Sequence, residues 1–118
     1  MTEVATEKRL AKLSRTIRPG EVILHAWPGS FTTDPVIITD VAVYTRAGFA
    51  LHPLIHFLEI PKSGTVRLHF SGRFLEFRLS SEYGEQVVRT LAAEVPARGG
   101  AVTIPPSASG GGVIGGIA

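Results

Sequence analysis

A chain of 118 residues, 44% hydrophobic and 19% charged, is long enough for one domain with a single core, too short for two of ordinary size, and too apolar to be disordered. Twelve Lys and Arg against ten Asp and Glu leave a formal charge of +2, too slight a bias to point to nucleic acid as a partner. The absence of cysteine excludes disulfides, thiolate nucleophiles and cysteine-ligated metals, and fits a cytosolic protein.

The charge is uneven, with five basic residues (Lys8, Arg9, Lys12, Arg15, Arg18) and two acidic ones (Glu3, Glu7) in the first twenty. No apolar core with a small-residue cleavage site follows, so no signal peptide is expected. No run approaches the ~20 apolar residues that span a bilayer. Residues 3–17 read instead as a short amphipathic helix: Leu10, Leu13 and Ile17 fall at i, i+3, i+7, and Lys8, Lys12 and Arg15 form a basic stripe. Pro19-Gly20 stops it. Such a helix either packs by its leucine edge against the domain or meets anionic lipid or an acidic partner through Lys8, Lys12, Arg15 and Arg18. Few bulky apolar residues oppose the stripe, which argues against deep membrane insertion.

From Glu21 to Ser80 the period changes to two. Val22, Leu24 and Ala26 alternate with Ile23, His25 and Trp27, and Val36-Ile37-Ile38 is continuous, as expected for a strand buried on both sides or at a sheet corner. Val41, Val43 and Thr45 alternate with Ala42, Tyr44 and Arg46. Phe49–Leu51 and Ile55–Ile60 are apolar runs interrupted by Pro53. Val66, Leu68 and Phe70 oppose Arg67 and His69, and Leu75, Phe77 and Leu79 oppose Phe74, Glu76 and Arg78. The links Thr39-Asp40, Ala47-Gly48, Lys62-Ser63-Gly64 and Ser71-Gly72 carry turn chemistry. The pattern predicts six or seven strands in a curved antiparallel sheet with one buried face.

Residues 82–95 return to a helical period, with Tyr83, Val87, Leu91 and Val95 on one face, Ser81 placed as an N-cap and Pro96 as the stop. This helix is expected to cap the open end of the sheet. Residues 97–118 change character again. No charge follows Arg98, and glycine is dense, which reads as a flexible tail. Val113, Ile114 and Ile117 are unusual in a solvated linker, and an apolar peptide on such a tether can add a strand to a partner's sheet or fill its groove.

The helix leading to Pro19-Gly20-Glu21-Val22-Ile23, followed by Val36-Ile37-Ile38-Thr39-Asp40-Val41-Ala42-Val43-Tyr44, resembles the pleckstrin-homology-like superfold, especially small bacterial PH and GRAM-like domains. The second string is similar to the apolar-Thr-Asp-x-x-apolar-Tyr pattern those domains show between early strands. The hairpin from Thr65 to Ser80 and the closing helix extend the likeness over about two-thirds of the chain. The resemblance implies a mainly β fold, a bent sheet or partly open barrel of about seven strands capped by a C-terminal helix. The parts are then an N-terminal helix (1–18), a PH-like domain (19–96) and a Gly-rich tail (97–118).

Such domains mostly bind lipid headgroups, peptides or other proteins, and bacterial examples often self-assemble. The loop 27–35 departs from the phosphoinositide-binding pattern, having no basic residue and one acid. It offers Trp27 and Phe31, which either cover the barrel end or form a protein contact. Nothing by spacing suggests catalysis: no Gly-x-Ser-x-Gly elbow, no phosphate loop, and no carboxylates clustered in sequence near His52 and His56. Arg67, Arg73 and Arg78 with Phe74 make a thin basic-aromatic face, better read as a soluble outer sheet surface.

The expectation is therefore a non-catalytic PH-like protein-interaction module, an oligomeric adaptor of the cytoplasm without cofactor or metal. It would bind another protein or copies of itself through Trp27, Phe31, Val113, Ile114 and Ile117. The alternative is peripheral binding to anionic membrane lipids through Lys8, Lys12, Arg15 and Arg18. No nucleic-acid partner is expected.

Overall fold

The computed structural model describes residues 2–30 and 32–102. Helix α1 (Thr2–Ser14) precedes seven antiparallel strands in two sheets, and helix α2 (Gly84–Ala97) follows them. Strands β1 (Ile23–Trp27), β2 (Val36–Thr39), β3 (Ala42–Thr45) and β4 (Gly48–Leu51) lie side by side in chain order. Strands β5 (Ile55–Lys62), β6 (Thr65–Phe70) and β7 (Arg73–Arg78) form the second sheet, also in order. The two sheets do not close on each other. The mainly β architecture with a short N-terminal and a capping C-terminal helix is the one the sequence periods predict.

The main core lies between the sheets. Val36, Ile38 and Val43 from the first sheet meet Leu58, Leu68, Leu75 and Phe77 from the second, and Val87, Val88, Leu91 and Val95 of α2 cover them. Burying each such side chain stabilises the fold by roughly 1.5–3 kcal/mol before entropic costs. Helix α2 therefore presents its apolar stripe as expected, but its limits differ. It begins at Gly84, and Ser80, not Ser81, serves the entry: the Tyr83 N–H donates to Ser80 Oγ at 3.1 Å and the Gly84 N–H to Ser80 O at 2.8 Å. Pro96 sits inside the last turn rather than ending the helix, and the Gly99 N–H donates to its carbonyl at 3.2 Å. The helix ends instead through Gly99, whose φ of +95° favours glycine, and the Gly100 N–H returns to Val95 O at 2.9 Å.

A second, smaller core lies on the other face of the first sheet. There Leu13 of α1, with Leu10 and Ile17 partly buried beside it, covers Ile37, Ala42 and Tyr44. This corrects the expectation of a sheet with one buried face, because α1 shields β2 and β3 from outside and both strands are buried on both faces. The continuous run Val36-Ile37-Ile38 had that meaning. α1 is also shorter than its periodicity suggested, and Ile17 reaches the sheet from the turn after it.

Packing continues beyond residue 96. The Ala101 N–H donates to Ile55 O at 2.8 Å, Val102 packs against the main core, and Gly100 lies against the short 3-10 turn His52–Leu54. A Cβ at Gly100 would stand 2.1 Å from His52 O, so no side chain fits there without movement. No helix among the described residues is long and apolar enough to cross a membrane.

Candidate functional site

The Thr-Asp step between β2 and β3 is organised around one carboxylate. Thr39 ends β2, so the link is Asp40-Val41, one residue later than the sequence suggested. The Thr39 hydroxyl accepts from the N–H groups of Val41 (3.1 Å) and Ala42 (3.0 Å) and donates to Glu21 Oε1. The Tyr44 hydroxyl donates to Glu21 Oε2 at 2.6 Å, and the Arg18 guanidinium donates to the same oxygen at 3.1 Å. Asp40 ties the turn to the strand before it, its Oδ1 accepting from the Val22 N–H at 2.8 Å. Burial alone would raise the Glu21 carboxyl, but hydrogen bonds from Thr39, Tyr44 and Arg18 outweigh it and hold the pKa below the usual carboxylate value. The Gly-Glu, Thr-Asp and Tyr elements of the sequence are thus one hydrogen-bonded cluster.

Through Tyr44 this cluster adjoins a cleft. Arg18 lies 5.5 Å from the centre of the Phe49 ring, which stacks on Tyr44 at 5.4 Å. Both rings line an open cleft of 740 Å³ bounded by α1, the loop between β1 and β2, the turn between β3 and β4, and strand β7. Its floor is apolar: Leu13, Pro35, Tyr44 and Phe77 are buried, and Phe49 stands 44% exposed at the edge. Its rim is polar, carrying Arg9, Lys12, Arg46 and Arg78 with Asp34, Glu76 and the threonines 16, 32 and 33.

The two acids of the rim are already engaged. Asp34 pairs with Arg46 at 3.4 Å, and its Oδ2 accepts from the Arg78 backbone N–H at 2.9 Å. The Asp34 N–H donates back to Arg78 O at 2.8 Å, clamping the loop to β7. Glu76 accepts from Arg67 at 2.7 Å, a residue outside the cleft. Among the described residues, the Lys12 ammonium and the Arg78 guanidinium have no carboxylate partner. The cleft therefore presents surplus positive charge over an apolar floor, which can hold an anionic group beside an apolar one.

The residues expected to bind from sequence fall in different places. Trp27 is 7% exposed, belongs to the main core, and donates from Nε1 to Gln86 Oε1 at 3.1 Å. As an exposed aromatic anchor it is corrected: α2 packs over it. Phe31, Val113, Ile114 and Ile117 lie outside the described residues. Of the basic quartet, Lys12 lines the cleft, Lys8 and Arg15 are exposed, and Arg18 is committed to Glu21.

Of the four histidines only His56 and His69 lie near each other, with ring centres 6.4 Å apart. His52 is fully buried, its Nε2–H donating to Thr39 O at 2.8 Å while Nδ1 finds no partner among the described residues, and His56 is exposed. His25 contacts Glu94 at 3.3 Å and His69 contacts Glu59 at 2.9 Å on separate surfaces. Among the described residues no three His, Asp or Glu side chains group as a metal site would require.

Arg9, Arg46, Phe49 and Arg78 were the contributors missed by sequence reasoning. They come from four separate elements, and no local pattern links them. No family model, curated protein or solved structure matches this chain.

Proposed function

We propose that this chain is a non-catalytic, PH-like protein-interaction module of the cytoplasm, binding another protein or further copies of itself. The observation that carries the reading is the cleft, whose apolar floor and charged rim suit a segment of protein. The order of seven strands and a closing helix is also the order that the PH-like resemblance implies. In this reading the C-terminal tail, with Val113, Ile114 and Ile117, extends the contact by docking to the partner.

Affinity capture from a native extract, with the full chain against Phe49→Asp, tests the cleft, because Phe49 is exposed and its replacement leaves the core intact. A partner recovered by the wild type and lost from the variant, at equal melting temperature, supports the reading. Equal recovery by both removes the cleft from it. A chain ending at Val102 tests the tail in the same assay, since it keeps every contact described for residues 98–102.

A second reading, peripheral binding to anionic lipid, is favoured by one observation: Lys8 and Lys12 on α1 and Arg15 just after it are exposed. The apolar edge of α1 is turned to the sheet, so this attachment would be electrostatic and sensitive to salt. Absence of flotation with phosphatidylserine vesicles at low ionic strength would sink it.

A further inference from the structure

We infer that the cleft takes an acidic segment of a partner protein, with at least one apolar side chain set between its carboxylates. This rests on the interaction-module reading and names the class of partner. Charge decides the sign: the carboxylates of Asp34 and Glu76 are held by Arg46 and Arg67, whereas Lys12 and Arg78 face the cleft with no carboxylate of their own among the described residues. An incoming Asp or Glu supplies that partner, and for Arg78 the pairing can be bidentate. The floor decides the rest, because Tyr44 and the half-exposed Phe49 offer ring surface that an acid alone leaves wet.

Other occupants fit less well. The chain's own tail carries no Asp or Glu after Glu94, so it brings no acidic side chain to Lys12 and Arg78. A nucleic-acid backbone would run its phosphates past Asp34 and Glu76, and two surplus cations fall short of the charge such binding needs. A bilayer recognises clusters of about four to eight Lys and Arg on an accessible face, and it cannot follow a concave floor.

The test uses a phage-displayed library of random twelve-residue peptides selected on the full chain and on the double variant Lys12→Glu/Arg78→Glu. Among the described residues neither side chain makes a bond that holds the fold, so the variant should melt with the wild type. A second pair, Lys12→Gln/Arg78→Gln, covers the case in which reversal perturbs folding. The wild type should enrich peptides rich in Asp and Glu with an interspersed Leu, Phe or Trp. The reversed variant should enrich Lys and Arg. A wild-type winner, made as a fluorescent peptide, should bind the reversed variant at least about tenfold more weakly. It should also weaken as salt rises, while Lys8→Glu/Arg15→Glu, outside the cleft, leaves it within about twofold.

Enrichment of neutral or basic peptides on the wild type would overturn the acidic assignment and leave the interaction module standing. Failure to enrich any family of peptides would instead count against the module reading itself. Self-association by sedimentation that is lost on Lys12→Glu/Arg78→Glu would overturn the assignment in favour of a second copy. Binding of phosphatidylserine vesicles with the same Lys12 and Arg78 dependence would overturn it in favour of lipid.

Discussion

Glu21 is 95% buried at its side chain and holds three donors on two oxygens, from a β-turn threonine, a strand tyrosine and an arginine beyond α1. Its depressed pKa fixes the sign of its pH dependence. The folded state binds the proton less readily than the unfolded chain, so the stabilisation is complete above the unfolded carboxyl value. It is lost as pH falls through the folded value. Glu21→Gln should therefore destabilise the protein by about 2–4 kcal/mol at pH 7, and the gap to wild type should narrow as pH falls below about 4. Urea titrations followed by the fluorescence of Trp27, the only tryptophan and a buried one, measure this directly. A gap that stays constant with pH would show that the charge is not what holds Thr39 and Tyr44. Gly100 offers a steric counterpart: Gly100→Ala places a methyl group against His52 O and Val95. The expected loss in the same titration is about 1–3 kcal/mol.

The two helices are held unequally, and the difference is countable in side chains. α2 commits four buried residues to the main core, whereas α1 commits Leu13 with partial help from Leu10, and Ile17 adds to it from the turn that follows. Amide exchange in α1 should accordingly be faster than in the second half of α2. Leu13→Ala should cost about 2 kcal/mol and bring α1 exchange close to that of an unfolded peptide, while Leu91→Ala should cost about 3–4 kcal/mol and lower the melting temperature of the whole domain. Equal exchange in the two helices would show that α1 is anchored by more than its leucine edge. The periodicities of both helices were readable because a repeat near 3.6 records which face is covered. The caps were not, because Ser80 and Ser81 are equivalent as sequence and only the path of the chain from β7 makes Ser80 the acceptor.

At the level of the whole molecule, the folded unit extends past the proline that seemed to end it. A chain ending at Pro96 loses the Gly100–Val95 and Ala101–Ile55 hydrogen bonds and the packing of Val102. It should be less stable than one ending at Val102 by about 2–3 kcal/mol, read as a lower midpoint in urea. Equal midpoints would mean that residues 98–102 follow the fold without supporting it. The same scale explains the cleft. Its walls are brought together by the packing of α1 on the first sheet and by the clamp between Asp34 and Arg78, which are 44 residues apart.

By itself, the sequence determined the mainly β class, a count of six or seven strands and the two helices, and it narrowed β2 to a strand buried on both sides or at a sheet corner, because alternation and continuity of apolar residues record burial along the chain. It also placed Gly20-Glu21, Thr39-Asp40 and Tyr44 together as a recognisable pattern, though not the reason for it. That reason is a shared carboxylate, and it exists only once the turn, the strand and the residue after α1 converge. Only the tertiary structure decided that Trp27 is core and that Lys12, Phe49 and Arg78 share a surface. A side chain's exposure and its neighbours across tens of residues depend on how elements pack, and local periodicity carries no record of that.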